Sequence, residues 1–294
     1  MANSISPFKK YIDKLDTVYS QSSASAVLDA DAETVKMGNN AGEFLVPKMN
    51  FDGLADYERG SGYVDGDISL TYETMMANYS RGRRFSVDAM DDEETAGVAF
   101  GKLASEFIRV KTNPELDAFR FATYAGKTDI LSASAALTTG EEVLAALIAA
   151  VNAQDEAEVS TEGKVLFITP TLLTLAKNAD TTKSKAILDR FSLIKSVPQP
   201  RFYTGISMLD GKTSGEEVGG FKPTVGAHPL NFLIVNKDAV LQFGKHTVNK
   251  IVKPEDNQLS DAWMFFYRAY GIAEVYENKL KGIYAHKNTT AVTE

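Results

Sequence analysis

Asp67-Ile68-Ser69-Leu70-Thr71-Tyr72-Glu73 is the clearest piece of the stretch that decides this fold. Ile68, Leu70 and Tyr72 alternate with Asp67, Ser69, Thr71 and Glu73, which gives a strand with one apolar and one polar face. The alternation sits inside a longer extended region, residues 43–87, rich in Gly, Asp and Tyr. Phe44-Leu45-Val46-Pro47 opens that region. Gly53, Gly60, Asp65, Gly62 and Gly66 crowd its middle, so residues 50–67, with Tyr57 and Tyr63, are expected to form a turn-rich tip between two strands. Strand-like sequence returns over 79–87. A long two-stranded ribbon is marginal in water by itself. With so few large apolar residues it needs a partner, and a second chain can be that partner.

A long helix is expected to follow, over 91–125. Asp91, Asp92, Glu93 and Glu94 fill its first turn and complement the helix dipole. Val98, Leu103, Phe107 and Val110 form one side, and Leu116, Phe119, Phe121 and Tyr124 continue it. Asn113-Pro114 interrupts the run, with Asn113 placed as a cap and Pro114 at a first position, so the spacing predicts one kinked helix or two in series.

Upstream, Ser6-Pro7 starts an amphipathic helix over 7–20 with Phe8, Tyr11, Ile12, Leu15 and Tyr19 on one stripe. Residues 20–42 read as a linker. Downstream, helices are expected over 141–154, 170–178 and 184–195, around a buried strand at 164–169. Gly205, Gly211, Gly215, Gly219, Gly220 and Gly226 make 205–226 a long surface loop. Phe232 to Val235 reads as a buried strand and 237–243 as a short helix. Residues 245–252, 263–270, 272–276 and 282–286 complete a β-rich tail with antiparallel pairing. The whole is α+β.

Composition narrows the function. The chain has 294 residues, 44% hydrophobic and 24% charged, with a formal charge of −8 and no cysteine. Those proportions are ordinary for a globular protein with a substantial core. No apolar run reaches the roughly 18 residues of a membrane span. The acidic balance argues against nucleic-acid binding by the chain as a whole. Without cysteine there are no disulfides, no thiolate metal ligands and no thiol nucleophile. The basic cluster Arg81, Arg83 and Arg84, beside Asp88 and Asp91 to Glu94, has two readings: solvated surfaces, or complementary charge between subunits.

Catalytic patterns are missing. Gly211-Lys212-Thr213-Ser214 lacks the earlier glycine of a phosphate loop, since Ile206 stands there, and more glycines follow instead of a helix. His228, His246 and His286 are far apart in sequence and suggest no metal centre. Glu93-Glu94, Glu141-Glu142 and Glu216-Glu217 are neighbours that do not face one another. No cofactor, metal or catalytic set is expected.

The order of elements resembles the major capsid protein of tailed bacteriophages, the Hong Kong 97-type capsid fold. The local match is carried by Asn231-Phe232-Leu233-Ile234-Val235-Asn236-Lys237-Asp238-Ala239-Val240, then Ala262-Trp263 to Tyr270-Gly271, then Gly282 to His286. The resemblance implies an N-terminal arm at 1–42 and an extended E-loop at 43–87. It implies a peripheral P domain at 88–134 and 229–294, with the spine helix, and an axial A domain at 135–228. It further implies a structural subunit that self-assembles through pentamers and hexamers into an icosahedral head. That head encloses double-stranded DNA without binding it specifically. Scaffolding and portal proteins, with or without decoration proteins, would be separate partners. The protein would be a virion component assembled in the bacterial cytoplasm, with no membrane and no catalysis. Intersubunit contacts would run through Phe8, Tyr11, Ile12, Leu15, Tyr57, Tyr63, Arg81, Arg83, Arg84 and the acids Asp91, Asp92, Glu93 and Glu94. An encapsulin-like nanocompartment shell is the alternative within the same fold.

Overall fold

The structure, a computed structural model, describes residues 22–30, 43–60, 62–94 and 103–293. The helix expected over 7–20, and with it Phe8, Tyr11, Ile12 and Leu15, lies outside the described residues.

The core is built on a five-stranded sheet in the order β4-β12-β9-β5-β6. These strands are β4 (Leu131–Ser134), β5 (Lys164–Ile168), β6 (Leu193–Ser196), β9 (Leu230–Asn236) and β12 (Ile283–Lys287). Every residue of β9 is buried, which is why Leu230 to Asn236 reads as an apolar run without alternation. It pairs antiparallel with β5 and β12, while β4 and β6 add as parallel edges. One face packs on helix α3 (Asn113–Ala125), where Phe121 and Tyr124 meet Phe167, Leu233 and Val235. The other face packs on α4 (Gly140–Glu156) and α5 (Pro170–Ala179), where Val143, Leu147 and Leu172 meet Leu166, Ile168 and Ile234. Side chains of β5 therefore go alternately to the two helical layers, as the strand period requires. Thr139 and Glu142 close a capping box at the start of α4. A side chain at Gly140 would run into the Leu175 carbonyl, so the close approach of α4 to α5 needs glycine there.

A second sheet, in the order β10-β11-β3, is antiparallel throughout. It comprises β3 (Tyr79–Asp88), β10 (Val240–Val252) and β11 (Ala262–Val275). Phe85 and Phe265 on one of its faces meet Phe107 of α2 (Leu103–Phe107) edge-on, at centroid distances of 4.8 and 6.2 Å. Tyr267 meets the same ring at 5.7 Å.

Several expectations are corrected. Asn113 does not cap a new helix. Its backbone is helical (φ −61°, ψ −45°), and a π turn (Ile108–Thr112) joins α2 to α3. The wider turn accommodates Pro114, which has no N–H to give a carbonyl one turn back. The helix over 184–195 ends earlier: α6 (Thr181–Leu188), capped by Asp180, stops, and Leu193 to Ser196 joins the sheet parallel to β5. Residues 237–243 form only the turn Lys237–Ala239, with Asn236 accepting from the Asp238 amide, before β10 begins. Buried Val240 and Leu241 gain more in a paired strand than in an isolated turn of helix. The loop at 205–226 contains a hairpin, β7 (Ile206–Leu209) with β8 (Gly220–Pro223). The strands expected at 263–270 and 272–276 are one strand, β11, that runs through Gly271, where a side chain would meet the Phe243 carbonyl oxygen at 2.6 Å. Pairing in the tail is antiparallel except at β4. The tail also serves both sheets: β9 and β12 belong to the five-stranded sheet, β10 and β11 to the other.

His286 is buried in β12 and stacked on Phe232 at 4.8 Å. Asn231 Nδ2 donates to the Ala135 carbonyl at 2.9 Å and lies 3.0 Å from His286 Nδ1, so that ring nitrogen accepts. Burial holds the imidazole pKa below its usual value. The neutral ring is thus the folded form. The unfolded chain takes up a proton near pH 6.5, where the folded chain does not, and stability falls as pH drops through that value. The thermal midpoint of the wild type should decline between pH 7 and pH 5.5 by more than that of His286→Gln, in scans followed by circular dichroism.

Candidate assembly surfaces

The hairpin of β1 (Glu43–Phe51) and β2 (Ile68–Met76) has the register Phe51 to Ile68, Met49 to Leu70 and Pro47 to Tyr72. Residues directly opposite share a face. Met49, Phe51, Ile68, Leu70 and Tyr72 therefore form one apolar stripe, and each is 50–67% exposed. On the opposite face only the root is covered. Phe44 and Met75 are buried there against Leu241 and Ile272, and Phe44 meets Phe243 edge-on at 6.2 Å. Lys48 Nζ bonds Glu277 Oε2 at 2.9 Å in an exposed ion pair of small energetic worth. The hairpin thus projects from a fixed root with a bare apolar face. The strand expected to continue this extended region, 79–87, instead pairs with β11.

The tip carries Tyr57 and Tyr63, both exposed, with ring centroids 4.8 Å apart across a bridge between Glu58 and Gly62. An exposed apolar surface of this extent marks an interaction site.

The three arginines do not act together. Arg81 Nε donates to Glu115 Oε1 at 2.8 Å, and its Nη2 donates to the Leu209 carbonyl at 2.8 Å. Arg83 Nη2 donates to the Glu217 carbonyl at 2.9 Å. Arg81 ties β3 to α3 and to the β7–β8 hairpin, and Arg83 ties it to the loop of that hairpin. Arg84, one residue on, points to the other side of the sheet and is exposed. Asp91 and Asp92 lie half-buried in α1 (Ala89–Glu94), Glu93 is exposed, and Asp88 accepts from the Met90 amide at 3.0 Å.

Sequence reasoning missed one anchor. Residues 22–30, read as linker, are packed into the body. Asp117 of α3 is fully buried and accepts from Ser23 Oγ at 2.7 Å, Ala24 N at 2.9 Å, Ser25 N at 3.1 Å and Ser25 Oγ at 2.6 Å. Arg201 Nη1 lies 3.2 Å from the same carboxylate. Arg120 donates to Ser25 Oγ and Asp29, and Gln242 Nε2 donates to the Ser25 carbonyl at 2.8 Å. Leu28 is buried beside them. The available signal was Asp117 itself, a charge on the same helical stripe as Phe121 and Tyr124.

Gly211 to Ser214 forms an Asp-headed turn. Asp210 accepts from the Thr213 and Lys212 amides, which holds its carboxyl down to about 2 and occupies the donors a phosphate would need. Among the described residues no group of three metal-ligating side chains gathers, and no helix is long and apolar enough to cross a membrane.

No family model matches the chain, and no curated protein matches it. Solved structures do. One from Mycobacterium phage Che8 has a TM-score of 0.65 at 14% identity, covering 97% of this chain and 98% of that one. The capsid structure of cyanophage P-SCSP1u has a TM-score of 0.64 at 12% identity, covering 96% and 93%. The fold is that of a phage capsid. A virus-like particle from Pyrococcus furiosus is similar over less of the chain, with a TM-score of 0.50 at 12% identity, covering 81% and 86%. The phage-capsid fold accounts for the mixed α+β architecture from the hairpin to β12.

Asp117→Ala removes the buried carboxylate on which two serine hydroxyls, two backbone amides and the Arg201 guanidinium converge, and should cost about 3–5 kcal/mol in urea unfolding. Arg81→Ala should destabilise the subunit by ~1–3 kcal/mol by stranding Glu115, whereas Arg84→Ala should leave stability within ~0.5 kcal/mol, both by the same measurement.

Proposed function

We propose that this chain is the major capsid subunit of a tailed phage, assembling through pentamers and hexamers into an icosahedral head around double-stranded DNA. The observation that carries this reading is a phage-capsid fold over nearly the whole chain whose hairpin presents an apolar stripe exposed among the described residues. In this reading the hairpin is the E-loop and the α2–α3 run is the spine. The region around α4 to α6 is the axial A domain, and the β10-β11-β3 sheet is part of the peripheral P domain.

The subunit works by burying surface and not by turnover. The hairpin lies over a neighbouring subunit, and each specific interface must bury about 1,000 Å². Many modest contacts closed into rings then give a stable shell. The formal charge of −8 suits a container that must not hold its DNA tightly. The subunit would be made in the bacterial cytoplasm and reside in the virion, with scaffolding and portal proteins, with or without decoration proteins, as separate partners. The encapsulin-like reading is less favoured, because the likeness to the Pyrococcus particle spans less of the chain than the likeness to the phage structures.

Negative-stain microscopy of purified protein tests the reading. Wild type should give uniform shells or ring capsomers. A deletion of residues 52–66, closed by a short turn, should keep the wild-type circular dichroism and thermal midpoint yet give no shells. A wild-type protein that stays monomeric at high concentration would overturn the proposal.

A further inference from the structure

Three Asp-Gly pairs occur in the chain: Asp52-Gly53, Asp65-Gly66 and Asp210-Gly211. Such a pair can react with itself. The glycine nitrogen can close a five-membered ring on the aspartyl carboxyl carbon, and without a Cβ the glycine does little to shield that nitrogen. Whether the ring closes depends on how the fold holds the carboxyl and the peptide after it. The three pairs are held differently.

Asp210 is tied down. Its carboxylate accepts from the Lys212 and Thr213 amides at 2.7 and 2.8 Å and from Thr213 Oγ1 at 2.7 Å. Those bonds favour the anion, which is a poor target for a nucleophile. A side chain on Gly211 would meet Arg83 Nη1 at 2.7 Å, so a guanidinium covers the next residue. Asp52 is held on one side, where its Oδ2 accepts from the Asp67 amide at 2.8 Å across the mouth of the tip. Asp65 is exposed, and among the described residues its carboxyl has no hydrogen-bond partner. Gly66 is exposed as well, and residues 64–66 belong to no helix or strand. A Cβ on Gly66 would meet only Asp52 Cβ, at 3.7 Å.

We infer that Asp65-Gly66 is a site of spontaneous isomerisation that turns Asp65 into an L-isoaspartyl residue, the substrate of an L-isoaspartyl carboxyl methyltransferase. Gly66 N attacks Cγ of the protonated Asp65 carboxyl. The N–Cγ bond forms, the C–OH bond breaks, and the amide proton leaves with the hydroxyl as water. Water then opens the cyclic imide. Opening at Cγ returns Asp65. Opening at the Asp65 main-chain carbonyl leaves the chain running through Cβ and Cγ and frees an α-carboxylate, which the methyltransferase esterifies with the methyl group of S-adenosylmethionine. The water lost in the first step is regained in the second, and the isomerisation needs no oxidant. The added main-chain carbon enters the turn and not the ladder, because β2 begins at Ile68. The hairpin keeps its pairing while its tip is altered next to the bare stripe. The inference stands whether or not the subunit builds shells.

Ageing the folded, full-length protein at neutral pH for some weeks tests it. The aged protein is treated with that methyltransferase and labelled S-adenosylmethionine, and its peptides are read by electron-transfer fragmentation, which separates the two isomers. Isoaspartate should accumulate at Asp65 faster than at Asp210 by about tenfold or more, a barrier difference of about 1.4 kcal/mol, with Asp52 between them. In urea the unfolded chain should isomerise at all three pairs at comparable rates, since the fold makes the choice. Gly66→Ala has room for its Cβ and should keep the wild-type circular dichroism while lowering the Asp65 signal by about tenfold. A folded protein without isoaspartate at Asp65, one that modifies Asp210 as fast as Asp65, or a Gly66→Ala variant that ages like wild type would each overturn the inference.

Discussion

A two-stranded ribbon offers two faces, and the body holds one of them near the root. Phe44 and Met75 are buried against Leu241 and Ile272, and Lys48 pairs with Glu277 farther along the same face. The stripe from Met49 to Tyr72 stays in solvent. Apolar area of that kind is a standing free-energy cost in a monomer and a driving force in an assembly. The body can be read as what such a projection demands. It is a rigid platform with two helical layers on a five-stranded sheet, and a second sheet braced by α2 and α3.

Rigidity comes from buried polar pairing as well as from packing. Asp117 gathers donors from Ser23, Ala24, Ser25 and Arg201, and so pins a segment far upstream in sequence to the middle of α3. Arg120 and Gln242 hold the same segment from either side. A buried carboxylate is tolerated only when its lone pairs are satisfied, and here they are.

The arginines show how strand alternation divides labour. Arg81 and Arg83 lie on one face of β3 and serve their own subunit, through Glu115, Leu209 and Glu217. Arg84 lies on the other face, exposed opposite Phe266. Three basic residues within four positions form one cluster in sequence and two in space.

Local pattern was enough for much of the fold. The alternation at Ile68, Leu70 and Tyr72, the apolar run of β9, the helix at α4 and the proline-led α5 are each set by neighbours in sequence, and each was legible there. So was the order of elements that pointed to a capsid fold. Tertiary structure decided what depends on distant partners. It turned 193–196 and 240–243 into strands, because open sheet edges stood ready to pair with them. It carried the helix through Pro114 on a π turn, and it buried residues 22–30 on Asp117. It also chose which arginine faces outward. Propensity and periodicity report the cost of a local conformation, whereas these outcomes were settled by hydrogen-bond partners and apolar surface that only the folded chain brings together.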